Sequence, residues 1–253
     1  MSKIAVILFP GINCENETAR AIESVGMKAD IVRWNDTRNL DSYDGYVLPG
    51  GWSYEDRIRA GVIAAKDPVM NIIKEEAEKG KVVMGICNGC QIIVESGIIP
   101  GLQDKVQMAL APNKNPFVSG FYCTWIKIKN FSKKKNAFNL KLNEGEVMNV
   151  PIAHGEGRFA TKDETLVRYL LANDQLLFRY CDETGNIADK FPANPNGSLI
   201  NIAGIVNKKG NVLAMMPHPE RAAWMRQVPG MHSNGESAGP GRKIFESIRE
   251  YLK

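Results

Sequence analysis

One segment constrains this chain more than any other: Val82-Val83-Met84-Gly85-Ile86-Cys87-Asn88-Gly89-Cys90-Gln91-Ile92-Ile93, an apolar strand running through Gly-x-Cys-x-Gly into a helical pattern. A sharp strand-to-helix turn of this kind is a nucleophile elbow with sulfur in place of oxygen, and it holds its central side chain out over a sheet edge. Gly85 and Gly89 flank Cys87 because side chains there would collide across the turn. The helix that starts at the turn points its positive end at the sulfur and favours thiolate over thiol. The N–H of Asn88 is aimed where an oxyanion would develop. Two other readings compete with a nucleophile: a buried core cysteine, and Cys87–Cys90 as a redox pair or half of a zinc site. Zinc would want a second pair, and Cys14, Cys123 and Cys181 are all single. Disulfide exchange stays open on spacing alone.

The segments around this turn alternate strand and helix. Residues 3–9 read as a buried strand closed by Pro10-Gly11, and residues 15–25 have helical spacing with Gly26 as a stop. Residues 28–33 and 45–48 are two more strands, the second ending in Pro49-Gly50-Gly51. Asp67 caps a helix that has Pro68 in its first turn and Gly80 at its end. Residues 81–86 then form the strand leading into Cys87. Repeated strand–helix–strand units predict an α/β fold, a mainly parallel open sheet covered by helices on both faces. Additional strands follow: the alternating residues 121–129, residues 176–181, and a hairpin of 201–206 and 211–216 about Asn207-Lys208-Lys209-Gly210. An amphipathic helix at 243–252 closes the chain. With no repeats and no linker, residues 1–253 read as one domain.

A nucleophilic cysteine needs a general base with an orienting group behind it. The chain has 3 histidines. His232 lies in a polar Gly-rich loop, where a solvated surface role is the default. His154 lies in Ile152-Ala153-His154-Gly155-Glu156-Gly157-Arg158, a loose match to the Gly-x-Gly-x-x-Ala of dinucleotide binders, weakened because no apolar helix is expected to follow: the next residues are Thr161-Lys162-Asp163-Glu164. His218 stands in Pro217-His218-Pro219-Glu220 after a strand. Proline after it biases His218 to extended geometry, so Glu220, two residues on, can stand beside it. Both Cys87 and His218 fall at strand ends, where ligands sit in an open parallel sheet. Leu48-Pro49-Gly50-Gly51-Trp52-Ser53 adds a third strand end, where Gly51 and Asn88 N–H groups would make a two-donor oxyanion hole.

Pro-Gly-Gly, then Gly-x-Cys-x-Gly-x-Gln, then His-x-Glu resembles the class I (triad) glutamine amidotransferases, with a flavodoxin-like sheet. Several further segments narrow the resemblance to those members that serve as glutaminase subunits of formylglycinamidine ribonucleotide synthases. They are Phe9-Pro10-Gly11-Ile12-Asn13-Cys14, Gly50-Gly51-Trp52-Ser53-Tyr54-Glu55-Asp56-Arg57, Ile152-Ala153-His154-Gly155-Glu156-Gly157, Asn194-Pro195-Asn196-Gly197-Ser198 and Met216-Pro217-His218-Pro219-Glu220-Arg221. The resemblance runs from the first strand to the last helix. It implies Cys87 as nucleophile, His218 as base, Glu220 as its orienter, and Gln91 helping to hold the substrate glutamine. Family members usually carry Gly and Tyr near Glu55 and Arg57, and Arg where Phe121 or Tyr122 stands.

The resemblance also implies partners. Ammonia would pass to a large synthetase subunit that uses ATP and magnesium, with a small accessory subunit beside it. No cofactor or metal is expected in this chain, which has no Gly-x-x-x-x-Gly-Lys-Ser/Thr loop. Two alternatives remain: an amidotransferase feeding another synthetase, and a redox or non-catalytic protein built on Cys87 and Cys90. Composition excludes other classes. A net charge of +4 spread along the chain, with Lys133-Lys134-Lys135 as the only basic run, gives no nucleic-acid patch. The apolar N-terminal run is far short of the ~20 residues needed to span a bilayer. An odd set of 5 mostly isolated cysteines fits a reducing, cytoplasmic setting.

Overall fold

The computed structural model describes residues 1–102, 105–231 and 235–253. His232 therefore lies outside the described residues. In chain order the elements are β1 (Lys3–Leu8), α1 (Glu15–Glu23), β2 (Lys28–Arg33), β3 (Gly45–Leu48), α2 (Pro68–Glu78), β4 (Val82–Ile86) and α3 (Asn88–Glu95). They continue as β5 (Ala109–Ala111), β6 (Tyr122–Asn130), β7 (Val147–His154), β8 (Arg158–Ala160), α4 (Glu164–Ala172), β9 (Leu176–Cys181), β10 (Ile202–Val206), β11 (Val212–Met215) and α5 (Arg242–Tyr251). Among the described residues the main sheet has nine strands in the order β2-β1-β3-β4-β11-β10-β9-β6-β7, and β5 pairs with β8 alone.

The sheet changes character at β11. From β2 to β11 every pairing is parallel. From β11 to β7 every pairing is antiparallel. This is the expected α/β architecture with additional antiparallel strands. The chain crosses from β1 outward to β2 through α1, and from β3 inward to β4 through α2. Right-handed crossovers in opposite directions place those helices on opposite faces. Strands β3, β4, β10 and β11 are buried at every residue, as strands covered on both faces must be.

Local signals explain the boundaries. The Asp67 carboxylate accepts the N–H of Val69 at 3.4 Å, capping α2 with Pro68 in its first turn. The hairpin of β10 and β11 closes at Asn207, whose side-chain oxygen accepts the N–H groups of Asn211 and Val212 at 3.1 Å each. An apolar helix does follow the Gly155–Gly157 turn. This is α4, capped by Asp163 and burying Leu166 and Leu170. However, the glycines turn the chain from β7 to β8 and do not open the helix, so the dinucleotide pattern has no structural counterpart.

The antiparallel half does not run straight away from the parallel half. Strand β7 is the far edge of the sheet, yet its Pro151 carbonyl accepts the N–H of His218 at 2.9 Å. The Ala153 carbonyl accepts from the Cys87 thiol at 3.5 Å. The sheet therefore curls until its last strand faces the C-terminal ends of β4 and β11, as accumulated strand twist allows.

Candidate active site

Cys87 stands between β4 and α3 with φ 52° and ψ −105°, a left-handed backbone that a Cβ-bearing residue adopts only under constraint. The constraint is visible. The Cys87 N–H donates to the Met215 carbonyl at 2.9 Å, and the Gly89 N–H donates to that of Pro49 at 3.1 Å. A Cβ on Gly89 would lie 1.9 Å from the Leu48 oxygen, and one on Gly85 would lie 2.4 Å from the Gly89 oxygen. Only bare backbone lets β3, β4 and α3 meet so closely, and that meeting holds the cysteine in its strained geometry.

His218 and Glu220 come together as the spacing predicted, by a different path. His218 itself is extended, at φ −103° and ψ 89°, but a 3₁₀ turn begins at Pro219. The turn brings the Glu220 Oε1 to 2.5 Å from the His218 Nδ1. Both side chains are buried, at 2% and 0% exposure. Burial alone would push the imidazolium down. The Glu220 carboxylate, with the sulfurs of Cys87 and Cys14 beside the ring, outweighs it and holds His218 well above the usual histidine range. The His218 Nε2 has no hydrogen-bond partner among the described residues. Its one remaining nitrogen is thus free to exchange a proton with a reacting group.

The two expected oxyanion donors lie at facing strand ends. Gly51 forms an isolated antiparallel bridge to Ile12, and Asn88 opens α3. Neither N–H finds an acceptor among the described residues. The Asn88 side chain, fully buried, ties the two ends together. Its Oδ1 accepts the Ser53 N–H at 3.0 Å, while its Nδ2 donates to Asp56 Oδ1 at 3.0 Å and to Gln91 Oε1 at 2.8 Å. The Gln91 Nε2 donates to the Glu156 carbonyl at 2.7 Å. Gln91 lines the cavity, but its amide is committed to protein partners on both sides.

A cavity of about 280 Å³ opens over Cys87 and is lined also by Gly51, Gln91, His154 and His218. Sequence reasoning did not select several of its other residues. Asp56 and Glu156 face it as carboxylates, and Trp52 and Phe121 stand at it with ring centroids 5.7 Å apart. Burial and the nearby Glu156 push the Asp56 carboxyl up to about 6, against a smaller opposing effect of the Asn88 amide. His154 is the clearest omission. Asn113 uses its Nδ2 to donate to the Gly120 and His154 carbonyls, which fixes its Oδ1 as acceptor for the Gly157 N–H and the His154 Nδ1. The His154 proton therefore sits on Nδ1. Burial, with the charge of His218, pushes its pKa down to about 3, so it is a neutral imidazole. No local sequence signal pairs residue 113 with residue 154.

Cys90 is completely buried, and burial drives its thiol pKa well up. All five cysteines are free. Among the described residues no helix is long and apolar enough to cross a membrane.

Residues 1–252 match the family model described as a CobB/CobQ-like glutamine amidotransferase domain. The chain is 48% identical to the phosphoribosylformylglycinamidine synthase subunit PurQ of Methanothrix thermoacetophila, over 99% of this chain and 98% of the relative. It is 46% identical to the same-named subunit of Pyrococcus furiosus, over 100% of both. Among solved structures it resembles a chain of PurLQS from Thermotoga maritima, with a TM-score of 0.77 and 33% identity, covering 100% of this chain and 99% of that one.

Proposed function

The chain belongs to the CobB/CobQ-like glutamine amidotransferase family, and from that premise we propose that it is the glutaminase subunit of a phosphoribosylformylglycinamidine synthase, acting in purine biosynthesis. The observation that carries the chemistry is the strained Cys87 elbow opening on the same cavity as the buried His218–Glu220 pair. In this reading the Cys87 thiolate attacks the side-chain carboxamide of glutamine. The Gly51 and Asn88 N–H groups take the developing oxyanion, each worth about 3–4 kcal/mol in comparable sites. His218 Nε2 delivers a proton to the departing ammonia, then takes one from the water that hydrolyses the glutamyl thioester. Glu220 holds the ring in orientation and stabilises its cation. Gln91 keeps the β7–β8 turn at Glu156 and the Asn88 side chain in place around the substrate.

The chemistry of ammonia transfer requires an acceptor, so the product passes to a large synthetase subunit that carries ATP and magnesium, with a small accessory subunit in the complex. A cytoplasmic setting suits both the free thiols and the substrates. The test is glutamine hydrolysis by the purified chain with and without the synthetase and its nucleotide substrate. Cys87→Ala is expected to lower glutamine-driven synthesis by about four orders of magnitude or more. Synthesis from added ammonia should persist, and its loss in the same variant would overturn the division of labour.

A further inference from the structure

Cys14 takes no part in the chemistry above, yet it lies against its base. It precedes α1, is 1% exposed, and its sulfur accepts from the Arg221 guanidinium, 207 residues away, at 3.0 Å. One ligand-capable atom each from Cys14, His218 and Glu220 lie within 4.8 Å of one another, and all three residues are buried. Zinc bonds of about 2.0–2.3 Å set tetrahedral ligand pairs about 3.3–3.8 Å apart, so an ion would open the His218–Glu220 pair, now 2.5 Å apart, by about 1 Å, draw the widest separation in by up to a similar distance, and take water as its fourth ligand. Glu220 Oε2 has no partner among the described residues, and Glu220 is wholly buried on the Nδ1 side of His218, the side from which an ion would ligate the ring.

We propose that Cys14, His218 and Glu220 form an inhibitory site for a thiophilic divalent cation of the zinc type, which withdraws the base when occupied. Charge supports it: one thiolate and one carboxylate cancel a 2+ ion, leaving the imidazole neutral and no net charge buried. The sulfur selects zinc-type ions over magnesium. The Arg221 guanidinium, 3.0 Å from the Cys14 sulfur and 3.9 Å from Glu220 Oε1, must give way on binding; its side chain is 38% exposed and already reaches Glu17 at 3.1 Å, towards which it would turn. On binding, the Cys14 thiol proton and the proton held between His218 and Glu220 leave to solvent as the S–metal, N–metal and O–metal bonds form. No electron is transferred. Cation binding stands independently of the glutaminase reading; only the inhibition rests on it.

Co2+ is the probe, added to Cys87→Ala so that the elbow thiol cannot ligate. The expected result is a thiolate-to-cobalt charge-transfer band in Cys87→Ala that Zn2+ abolishes and that is missing from Cys87→Ala/Cys14→Ser. Adding Glu220→Gln to Cys87→Ala should weaken Co2+ by about an order of magnitude or more. In the wild type, Zn2+ should inhibit glutamine hydrolysis, and Cys14→Ser should raise the inhibitory concentration by a similar factor. No band in Cys87→Ala, or an undiminished band in the double variant, overturns the proposal. Circular dichroism checks each variant's fold, and Cys14→Ala replaces Cys14→Ser should the latter not fold. A wild type that binds Zn2+ through Cys14 but never hydrolyses glutamine would sink the function and leave the site standing.

Discussion

Glu220 is wholly buried and its Oε1 lies 2.5 Å from His218, so its charge decides the state of that ring more than any other group. Glu220→Gln keeps the shape and removes the charge. Its kcat for glutamine hydrolysis should fall by about 10²–10⁴ with a smaller change in KM; an unchanged kcat would remove Glu220 from the mechanism. Asp56 gives a second, separate readout. Folded, it keeps its proton up to about pH 6, whereas the unfolded chain releases it near the usual 3.8. Between those values the folded state holds the extra proton, so this group's contribution to stability declines as pH rises through the window. The melting-temperature difference, wild type minus Asp56→Asn, should shrink from about pH 4 to about pH 6.5; a flat difference refutes the assignment. Glu55, at φ 60°, holds a left-handed backbone that costs about 1–2 kcal/mol. Its exposed ion pair with Arg57 offsets at most about 1 kcal/mol. Glu55→Gly should leave the melting temperature unchanged or raise it by a few degrees.

At the scale of elements, the elbow is a three-way junction, and the sequence marked it because backbone contact leaves a compositional trace. Two glycines spaced around a cysteine after an apolar run are the imprint of β3, β4 and α3 meeting within van der Waals distance. Gly89→Ala should therefore behave as a junction mutation: a Cβ 1.9 Å from a carbonyl oxygen forces strands apart, costing about 3 kcal/mol or more in denaturant unfolding. Asn88→Ala should be different, leaving much of the stability but releasing Ser53, Asp56 and Gln91 from one anchor. With the oxyanion ends untied, kcat should drop by about tenfold or more; a variant with normal kcat would show that the tie is structural only. Elements β1 to β4, α2 and the β10–β11 hairpin were legible in the same way, from period, caps and turn residues. Strand β7 and helix α4 were not. Strand β7 carries Pro151 in its middle, which breaks a strand pattern in sequence, and the mostly apolar α4 begins only after the polar run Thr161-Lys162-Asp163-Glu164.

For the whole molecule, the part of the site that the sequence concealed is the part made by curvature. Nothing in residues 151–156 says that they will lie over residue 87, because strand twist summed over the antiparallel half puts them there. His154, Glu156 and Asn113 entered the site by that route, whereas Cys87 and His218 were readable because each sits at the end of its own strand. The curl has a consequence for the order of events on the ribosome. The Cys87 sulfur lies against a carbonyl 66 residues later in the chain, and its imidazole arrives only with β11. Such distant contacts are the slowest to form and cannot form before the later segment has been made. A chain still emerging thus displays the Cys87 thiol without the β7 carbonyl and the imidazole that flank it in the folded protein, and the three meet only once the segment through His218 has been released.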